Sequence, residues 1–552
     1  MPQAHNSHPA RKPEEVNAYL VGGGIASLAA ATHLIHDAHV PANQIHIIES
    51  GPLPGGSMDG AGEPEKGYVL RGGRMLNFSY LCTYDLLSLI PSLSNPAKTV
   101  KQEIDEFNAA PENKTNAHAR VIAKGEKGPE IVDVSKMGLS KKDREDLVYV
   151  AMETEKKLGD RRIDEFFEKS FFQTNFWFMW DTMFAFEPWH SAVEFKRYLH
   201  RFIQEFPRIN SLAGVDRTPY NQYDSIILPI ERYLKAQGVD FRYDTKVTSL
   251  SFAPTAEMTV TEIHFAFAKT GATGLIHVEP HDIAFVTLGS MTSNSSLGTN
   301  TTSPAPLPTP EQAKTAPDGS WQLWSALANP DANPQFHSSF GNPANFYTRT
   351  NESNWLSFTV TLKDPSFIKQ YEEWSGNKAG TGALVTFKDS AWLMSIVVPH
   401  QPHFLNQPEN IQVFWGYGLF PFAVGNFVNK PMAECSGAEI MTELLGHLNF
   451  PQEPTLWNSI TIPAMMPYIT SQFLTRKEGD RPKVIPEGST NLALLGQYVE
   501  IERDTVFTVE YSVRAAQLAV HELMGTKRKP RDVYRGEHNV KVLLDALKML
   551  LT

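Results

Sequence analysis

Residues 16–50 carry the feature that most restricts the fold: a short apolar strand, a cluster of glycines, a helix and a second strand. In order these are "VNAYLV", the glycines of "GGGIAS", the alanine-rich "SLAAATHLIH" and "IHIIES". Gly22, Gly24 and Ser27 match the pattern G-x-G-x-x-G/A, with serine in the last place. A lone glycine loop also occurs in purely structural turns, but here a strand precedes it and a helix follows. The order predicts a βαβ unit that opens a Rossmann-like domain.

Three positions of this unit have a physical role in binding a nucleotide. Gly22 permits a tight turn, and Gly24 lets the backbone approach a pyrophosphate at the positive end of the helix. Glu49 ends the second strand, where an acid is placed to accept hydrogen bonds from a ribose 2′-OH. The sequence therefore predicts a dinucleotide site.

Two further glycine loops favour FAD over NAD as the dinucleotide. Gly55, Gly56 and Ser57 follow Glu49 closely and can wrap a second phosphate and the ribitol, as in FAD enzymes of the glutathione-reductase-like class. The segment "RGGRM", residues 71–75, then offers a second backbone loop that suits a flat flavin ring. A surface turn explains two adjacent glycines but not three glycine loops so close together.

Composition excludes several classes of protein. A chain of 552 residues is too long for one ordinary core, so two or more lobes are expected. The net charge of −11 argues against nucleic acid as the main partner, because phosphate binding needs a basic face. With Cys82 and Cys435 as the two cysteines, neither a disulfide framework nor a cysteine zinc site is expected, and a reducing compartment fits best.

The sequence contains neither a secretory signal nor a membrane span of the usual kind. The first fifteen residues form a polar leader without the apolar core of a signal peptide. No apolar run reaches the length of about 18 residues that a membrane-spanning helix needs. We expect a soluble, cytoplasmic protein.

The rest of the chain alternates between helical and extended patterns. Residues 140–206 are predicted to be helical and are rich in aromatic side chains. The stretch "PIERYLKAQGVDFRYDTKVTSLSF" predicts a helix stopped by Gly238 and then two strands. Residues 293–320 are rich in Pro, Ser and Thr and are predicted to be a surface loop. Alternating strands are predicted from Trp321 onward, followed by a strand in "NLALLGQYV" and a helix near residues 508–524.

Several stretches resemble the fatty acid hydratases, a family also called oleate hydratases or myosin-cross-reactive antigens. They include "GGGIASLAAATHLI", "PGGSMDG", "RGGR", "NFWFMWDTMFAFEPWHSAVEFKRYLHRF", "YNQYDSIILPI", "GSMTSNSSLG", "WGYGLFP", "MMPYITSQF" and "DTVFTVEYSVRAAQLAV". The matches run from about residue 18 to 520, and FEPWHS and TVFTVEYSVR are the most specific. Overall the chain is most similar to the actinobacterial, Rhodococcus-type branch.

The resemblance implies a reaction and a fold. The reaction is addition of water to the cis-9 double bond of free unsaturated fatty acids such as oleate, giving 10-hydroxystearate, with FAD but without net redox. The fold is α/β: a Rossmann-like, glutathione-reductase-like FAD domain assembled from separated segments, an α+β substrate lobe and C-terminal helices. We expect the polar leader at 1–15, FAD-domain parts at 16–135, 229–292 and 481–525, substrate-lobe parts at 136–228 and 321–480, the loop at 293–320 and a tail at 526–552.

Hydration of an isolated alkene needs a proton donor at one carbon and a water aimed at the other, because the alkene is a poor base. The donor tyrosine of the family lies in the helix after FEPWHS and matches Tyr198. A tyrosine suits this role because its neutral form persists at pH 7. From the residues alone, the favoured interpretation is that Tyr198 is simply one aromatic side chain on an aromatic-rich helix.

Met75 stands where members of the family carry a glutamate, directly after Gly-Gly-Arg. A thioether cannot usefully accept a proton. Either water attacks with help from the backbone or the flavin, or another carboxylate substitutes for the glutamate. In the alternative interpretation Met75 only packs against the flavin or the acyl chain.

The family's contacts to the fatty acid carboxylate match Gln222, Val397, Pro399 and His403. A threonine and an asparagine of the family are replaced by Val397 and Pro399, so binding of the head group is expected to rest on Gln222 and His403, with His400 as a further candidate. A metal at the two histidines is not expected, because no carboxylate or cysteine clusters with them in the sequence.

The resemblance also implies which residues contact FAD. They are Gly22, Gly24, Ala26, Ser27, Glu49, Gly56, Ser57, Gly73, Arg74, Met75, Val247, Ser290 and Phe507. The aromatic run from Phe166 to Trp189 is mostly expected in the core, with some members lining a tunnel for the acyl chain.

The tail combines "KRKPR" with the amphipathic "VKVLLDALKMLL". Docking on its own domain or on a second protomer is the favoured interpretation, and peripheral contact with an anionic membrane is the alternative. The chain is expected to be a monomer or a homodimer.

Two other functions stay open. A flavin-dependent double-bond isomerase or oxidoreductase shares the FAD architecture, and a non-catalytic lipid-binding flavoprotein is compatible with Met75. Hydrolase motifs of the forms G-x-S-x-G and H-E-x-x-H are absent.

Overall fold

The structure, a computed structural model, describes residues 11–315, 317, 319–382 and 384–552. Within them the strands are β1 (Ala18–Val21), β2 (Ile45–Ile48), β3 (Ala61–Glu63), β4 (Gly67–Val69), β5 (Leu76–Asn77), β6 (Val121–Gly125), β7 (Gly128–Ile131), β8 (Val215–Asp216), β9 (Asp240–Arg242), β10 (Thr245–Phe252), β11 (Val260–Phe267), β12 (Thr273–His277), β13 (Ile283–Thr287), β14 (Ser296–Leu297), β15 (Trp355–Leu362), β16 (Leu384–Phe387), β17 (Met394–Val397), β18 (Gln412–Gly418), β19 (Ser459–Met466) and β20 (Leu492–Leu495).

The α-helices in the same part of the chain are α1 (Ile25–His36), α2 (Leu81–Leu87), α3 (Val100–Ala109), α4 (Lys141–Met152), α5 (Glu155–Leu158), α6 (Asn175–Phe184), α7 (Ala192–Arg201), α8 (Leu228–Gln237), α9 (Pro310–Thr315), α10 (Gly319–Leu327), α11 (Ala344–Tyr347), α12 (Thr350–Ser353), α13 (Ser366–Ser375), α14 (Gly437–Leu448), α15 (Val509–Met524) and α16 (Val540–Leu550). Short 3₁₀ turns lie at Pro13–Glu15, Ala42–Gln44, Pro111–Asn113, Ile163–Glu165, Lys169–Gln173, Ile203–Arg208, His337–Phe340, Met432–Glu434, Ser471–Phe473 and Gly536–His538, and a π-helical turn lies at Tyr223–Ile227.

A five-stranded parallel sheet in the order β20-β13-β1-β2-β9 forms the first layer. Helices α1 and α15 pack against each other beside this sheet. β1, β13 and β20 are almost entirely buried, as expected for strands that are covered on both faces. The predicted α/β class and Rossmann-like domain are confirmed, and the strands of this sheet come from separated parts of the chain.

An eight-stranded sheet in the order β14-β19-β15-β18-β17-β16-β6-β7 forms the second lobe. Its long central strands are antiparallel, and β15 is buried at every position. β6 and β7 belong here, because Thr386 of β16 pairs with Val121 of β6. Placing all of residues 16–135 in the FAD domain was therefore wrong. A local hairpin in the sequence does not reveal which sheet it joins, since that choice depends on a partner strand far along the chain.

The remaining described strands form three smaller sheets. β10, β11 and β12 form a meander, β3 pairs with β4, and β5 pairs with β8. In the last pair Leu76 lies opposite Asp216 and Asn77 opposite Val215. This pair ties the end of the "RGGRM" segment to the region before Gln222.

The predicted loop at 293–320 and the strands expected directly after Trp321 need correction. The segment contains β14 and α9, and α10, α11 and α12 precede β15. Helix α9 begins at Pro310, after Thr309, whose backbone and side chain exchange hydrogen bonds with Gln312. This is a capping box with proline in the first helical position, a local signal that the Pro/Ser/Thr composition hid.

Other predicted elements are found where expected. Helix α8 ends at Gly238, whose φ of 103° is left-handed, and β9 and β10 follow it. β20 and α15 match the late strand and helix. Among the described helices none is long and apolar enough to cross a membrane.

Candidate active site

A cavity of about 430 Å³ opens at the carboxyl ends of the parallel strands. It is called here the glycine-lined cavity, and its walls include Gly22, Gly24, Ala26, Glu49, Gly56, Ser57, Arg74, Val247 and Ser290. The structure thus brings together nine of the residues predicted to contact FAD. Ser27 is not on this wall: it is fully buried, with its hydroxyl 3.4 Å from that of Thr287 on β13.

The backbones of two glycine loops touch at this cavity. The Gly55 N–H donates to the Gly23 carbonyl at 2.9 Å, and Gly24 and Gly55 form an isolated bridge. A Cβ on Gly56, whose φ is 55°, would lie 3.4 Å from Cα of Gly24. Glycine at both loops lets two main chains approach, so their amides face the same space.

The carboxylate of Glu49 holds two backbone N–H groups. Its Oε2 accepts from Gly23 at 2.6 Å and its Oε1 accepts from Gly51 at 2.7 Å. The Ser50 hydroxyl also donates to Oε1, at 3.2 Å, whereas Oε2 keeps a lone pair that can accept from a ligand hydroxyl. Glu49 therefore shapes the first glycine loop as well as lining the cavity.

Arg74 is a cation without an acidic partner. Its Nη2 donates to the Ser57 carbonyl at 3.0 Å, and its Nη1 lies 3.2 Å and 3.4 Å from the carbonyls of Gly72 and Gly73. Burial lowers the pKa of Arg74 to about 10. Its side chain makes no ion pair within the described part of the chain, whereas Arg71 nearby pairs with Asp59 at 2.8 Å. An anionic ligand in the glycine-lined cavity would supply the missing charge.

A second cavity of about 130 Å³ adjoins the first and shares Arg74 and Val509 with it. It is called here the aromatic-lined cavity, and its walls include Gly73, Met75, Tyr80, Phe184, Tyr198, Phe202, Trp355, Trp415, Tyr417 and Phe507. Gly73, Met75 and Phe507, predicted to contact FAD, lie here rather than on the first wall. No Asp or Glu is among its described lining residues.

Tyr198 projects from α7 into this aromatic shell. Helix α7 begins after Ser191, whose side chain accepts from the backbone of Glu194 and caps the helix. The Tyr198 hydroxyl donates to the carbonyl of Val506. The ring is 1% exposed and lies 5.0 Å from Phe184, and burial raises the pKa of Tyr198 well above its usual value. The phenol is therefore neutral and can act as a proton donor.

The loop before Met75 is pressed against an indole ring. A Cβ on Gly73 would lie 2.7 Å from Cε2 of Trp415 and closer still to Cζ2. Gly72 has a φ of 86°, and Cζ2 of Trp355 lies on its other side. The two glycines admit these rings, and half-buried Met75 packs in the same apolar cluster.

The four predicted head-group residues are not all in one place. Gln222 is buried, and its Nε2 donates to the carbonyls of Asp59 at 2.9 Å and Gly72 at 3.0 Å. Val397 pairs with Leu384, a wall residue of the aromatic-lined cavity. His403 is 9% exposed, its Nε2 has no partner, and burial lowers its pKa to about 3. Gln222, Val397, Pro399 and His403 line neither cavity.

The aromatic walls on the second lobe were not predicted. Trp355 begins β15, and Trp415 and Tyr417 alternate along the adjacent strand β18. Trp355 and Tyr417 stack with ring centroids 4.9 Å apart. A period of two in "FWGYG" indicates that the two side chains share a face, but not which face meets the "RGGRM" loop. The aromatic run from Phe166 to Trp189 contributes mostly to the core.

Comparisons with known proteins place the chain beside hydratases in sequence. A model of the MCRA family matches residues 15–521. An oleate hydratase of Streptococcus pyogenes serotype M49 (strain NZ131) is 40% identical over 557 residues, covering 98% of this chain and 91% of that protein. A linoleate hydratase of Lactiplantibacillus plantarum is 35% identical over 581 residues, covering 97% and 98%.

Solved structures show the fold alone. Putrescine oxidase bound to putrescine superposes with a TM-score of 0.52 at 10% identity, covering 92% of this chain and 99% of that chain. An oxidoreductase from Methanosarcina mazei gives a TM-score of 0.50 at 11% identity, covering 90% and 98%. The parallel sheet and the second lobe therefore have an architecture in common with oxidoreductases.

Proposed function

This chain belongs to the MCRA family, and we propose that it is a hydro-lyase: an FAD-dependent hydratase that adds water to the cis-9 double bond of free unsaturated fatty acids. With oleate the product is 10-hydroxystearate. The observation that carries the proposal is that Tyr198 and Met75 face one apolar, aromatic-lined cavity that shares Arg74 with a glycine-lined cavity.

The residues of the glycine-lined cavity fit FAD. Gly22, Gly24 and the N-terminus of α1 would hold a pyrophosphate through backbone N–H groups, and Arg74 has no acidic partner among the described residues. Ser57 and Glu49 would hold hydroxyl groups of the cofactor. When bound, FAD would supply a flavin ring whose charge depends on its redox state, and it would not be consumed, since hydration transfers no electrons overall.

Tyr198 is the proposed acid. Its O–H bond breaks as the proton joins one alkene carbon, and the oxygen of water forms a bond to the other carbon. The proton that water loses restores the phenol, so atoms and charge balance. Because burial raises the pKa of Tyr198, the phenol stays protonated at the start of each cycle.

Water activation is proposed to use the backbone rather than a substitute carboxylate. The Gly73 carbonyl, just before Met75 on the cavity wall, accepts from Arg74 and has a second lone pair that can accept a hydrogen bond from water. The Gly72 carbonyl already accepts from both Gln222 and Arg74. Asp181 and Glu187, close in sequence to the wall residues Thr182 and Ala185, are buried outside the lining, and burial raises the pKa of both well above the usual value. Neutral carboxyl groups are poor bases, which disfavours the carboxylate alternative.

The test is anaerobic incubation of FAD-loaded protein with oleate in D2O, with and without prior reduction of the flavin, followed by mass spectrometry of the lipid. A product heavier by one D2O, with one carbon-bound deuterium, supports hydration. Flavin reduction on addition of oleate would instead support an oxidoreductase. Unchanged oleate that nonetheless binds tightly would support the lipid-binding alternative.

The tail suggests a second partner. Helix α16 docks on residues Ile203–Arg208 with Ala546 buried, so the favoured docking on its own chain is found. Its other face exposes apolar side chains, namely Val540, Leu543, Leu544, Leu547 and Leu551. We propose that this face and the basic residues 527–531 make peripheral contact with anionic lipid, where fatty acids partition.

A further inference from the structure

Residues 503–507 have an unusual backbone at both ends. Arg503 and Phe507 have φ angles of 66° and 67°, in the left-handed region that residues other than glycine rarely adopt. Between them, the Val506 carbonyl accepts the hydrogen bond from the Tyr198 hydroxyl. A backbone of this kind persists only where surrounding contacts hold it in place. The contacts that hold this segment therefore also fix the acceptor of the proposed acid.

The carboxylate of Asp504 attaches this segment to two helices. It is fully buried. Its Oδ2 accepts from Nε of Arg514 on α15 at 2.8 Å, and its Oδ1 lies 3.5 Å from Nε of Arg201 on α7. The same Oδ1 accepts from the Thr505 N–H at 2.9 Å. Displacing a carboxylate from two buried guanidinium groups would leave charges unpaired, so the segment is held firmly at this point.

Arg201 extends this attachment to the helix that carries Tyr198. The two residues are three positions apart on α7, so they are neighbours on the helix surface. The Arg201 guanidinium also donates to the Ser79 hydroxyl at 2.7 Å and to the Ser79 carbonyl at 3.0 Å. Asp504 and Arg201 together therefore fix how the Tyr198 hydroxyl meets the Val506 carbonyl.

Glu510 offers a comparison within the same network of buried charges. It is fully buried, and its Oε1 lies 2.8 Å from Nη2 of Arg514. Its two oxygens also accept from the backbone N–H groups of Cys82 at 3.0 Å and Thr83 at 2.8 Å, at the start of α2. None of these hydrogen bonds goes to residues 503–507. Glu510 thus shares an arginine with Asp504 but stabilises a different part of the fold.

We infer that Asp504 is a positioning residue for the hydration: through Arg201 and Arg514 it holds residues 503–507 so that the Val506 carbonyl orients the Tyr198 hydroxyl. This inference rests on the proposed function. Asp504 lines neither the glycine-lined nor the aromatic-lined cavity, so it acts through Tyr198 and not on the substrate.

The orientation matters because the proton changes its partner during the reaction. Without substrate the Tyr198 O–H points at the Val506 carbonyl, and in the proposed reaction its proton moves to an alkene carbon. The place of that carbonyl decides from where the proton is delivered, and a misplacement of about 1 Å can lower a rate 10²-fold. Loss of Asp504 should therefore slow the chemical step more than it weakens substrate binding.

The first experiment compares Asp504→Asn with Glu510→Gln, in FAD-saturated protein and with oleate as the substrate. Each variant neutralises one buried acid that pairs with Arg514, so both should lose stability. In Asp504→Asn we expect kcat to fall about 10–100-fold, with KM for oleate and the affinity for FAD changed less than about threefold. In Glu510→Gln, kcat per FAD-bound molecule should stay within about threefold of the wild type. Equal values of kcat in the two variants would overturn the inference.

A second pair of variants keeps the inference testable if Asp504→Asn does not fold. Arg201→Lys keeps the positive charge but loses the planar fork that joins Asp504 to Ser79. It should lower kcat at least about tenfold. The control is Arg197→Lys on the same helix, because Arg197 pairs with Glu155 and not with Asp504. A loss of kcat no larger in Arg201→Lys than in Arg197→Lys would overturn the inference.

A spectroscopic measurement separates this inference from the proposed function. With 3-fluorotyrosine at position 198, the ¹⁹F resonance of the FAD-loaded protein reports the surroundings of the hydroxyl without any substrate. We expect the resonance to shift or split in Asp504→Asn and to stay at its wild-type position in Glu510→Gln. If the wild type does not hydrate oleate, the hydratase proposal fails, and this resonance still tests Asp504. An unchanged resonance in Asp504→Asn would overturn the positioning role.

Discussion

The glycine-lined and aromatic-lined cavities differ in whether main chain or side chains form their walls. The glycine-lined cavity is formed largely by main chain at the ends of parallel strands, and its glycines leave room for a ligand. The aromatic-lined cavity is formed by side chains from both lobes, and the space at Gly73 is filled by Trp415. The first should therefore be sensitive to small changes at glycine, and the second to the identity of its side chains.

The largest effect is expected at Tyr198. Tyr198→Phe removes the proposed acid and should lower kcat for oleate hydration by about 10²–10⁴-fold. FAD affinity should not change, because Tyr198 is not on the wall of the glycine-lined cavity. Product formation and flavin titration measure the two quantities. The control is Tyr80→Phe, which removes a hydroxyl from the aromatic-lined cavity and should lower kcat less than tenfold. Equal losses of kcat in the two variants would contradict the assignment of Tyr198 as the acid.

Gly24→Ala tests the main-chain site. A Cβ there would meet nothing nearer than Cα of Gly56 at 4.0 Å, so it would project into the cavity without straining the fold. We expect FAD affinity to fall at least tenfold, because the methyl group occupies the space that a pyrophosphate needs. The free energy of unfolding of the FAD-free protein should change by less than about 1 kcal/mol. Unchanged FAD affinity would place the cofactor elsewhere.

Gly73→Ala, unlike Gly24→Ala, should lower the stability of the protein. The added Cβ would overlap the Trp415 ring, so the free energy of unfolding should fall by about 1–3 kcal/mol. Chemical denaturation gives this value. In a Trp415→Leu background the same substitution should lower the free energy of unfolding by less, because the added Cβ no longer overlaps an indole ring. Additive losses would show that the ring is not the obstacle.

The pH dependence of the rate distinguishes Met75 from a glutamate. The described residues on the wall of the aromatic-lined cavity include no carboxylate, and the raised pKa of Tyr198 keeps its phenol protonated beyond the usual value of about 10. The rate of the wild type should therefore stay constant between about pH 6 and 9, because neither Tyr198 nor a wall carboxylate changes its protonation in that range. In Met75→Glu a base has been added that works only when ionised, so the rate should rise as pH increases through its pKa. Rate profiles of the two proteins, with FAD saturating, give the comparison.

The smallest effect is expected on the tail. Leu544 is 52% exposed on α16, so Leu544→Lys should change the free energy of unfolding by less than about 0.5 kcal/mol. Binding to vesicles that contain anionic lipid should weaken, because a charge enters the apolar face. Sedimentation with vesicles measures this, and Lys541→Ala at an exposed polar position of the same helix is the control. Equal vesicle binding by Leu544→Lys and the wild type would contradict the membrane proposal.

Local signals account for what could be predicted. The glycine pattern, the strand before it and Glu49 after it lie within one short stretch, and the structure joins them in one βαβ unit with a cavity at its end. The capping box at Thr309 was equally local, but composition concealed it. Where a feature depends on neighbours in the chain, the sequence contains the information.

Side-chain partners across the chain could not be predicted in the same way. Gln222 was expected at the head group but donates hydrogen bonds to Asp59 and Gly72, whereas Arg217, five residues earlier, is buried with two guanidinium nitrogens that lack a partner. Nothing in "RTPYNQY" distinguishes these roles, because they depend on Gly380 and on the loop around His403. Burial and pairing are properties of the assembled structure.

The amino-acid sequence by itself determined the class of fold, the family and the main-chain cavity, because glycine conformation and apolar periodicity act over a few residues. Tertiary structure alone decided which rings enclose Tyr198, what lies against Gly73 and which buried charge lacks a partner. These depend on how strands from distant segments register against one another, and register is set by the packing of the whole molecule.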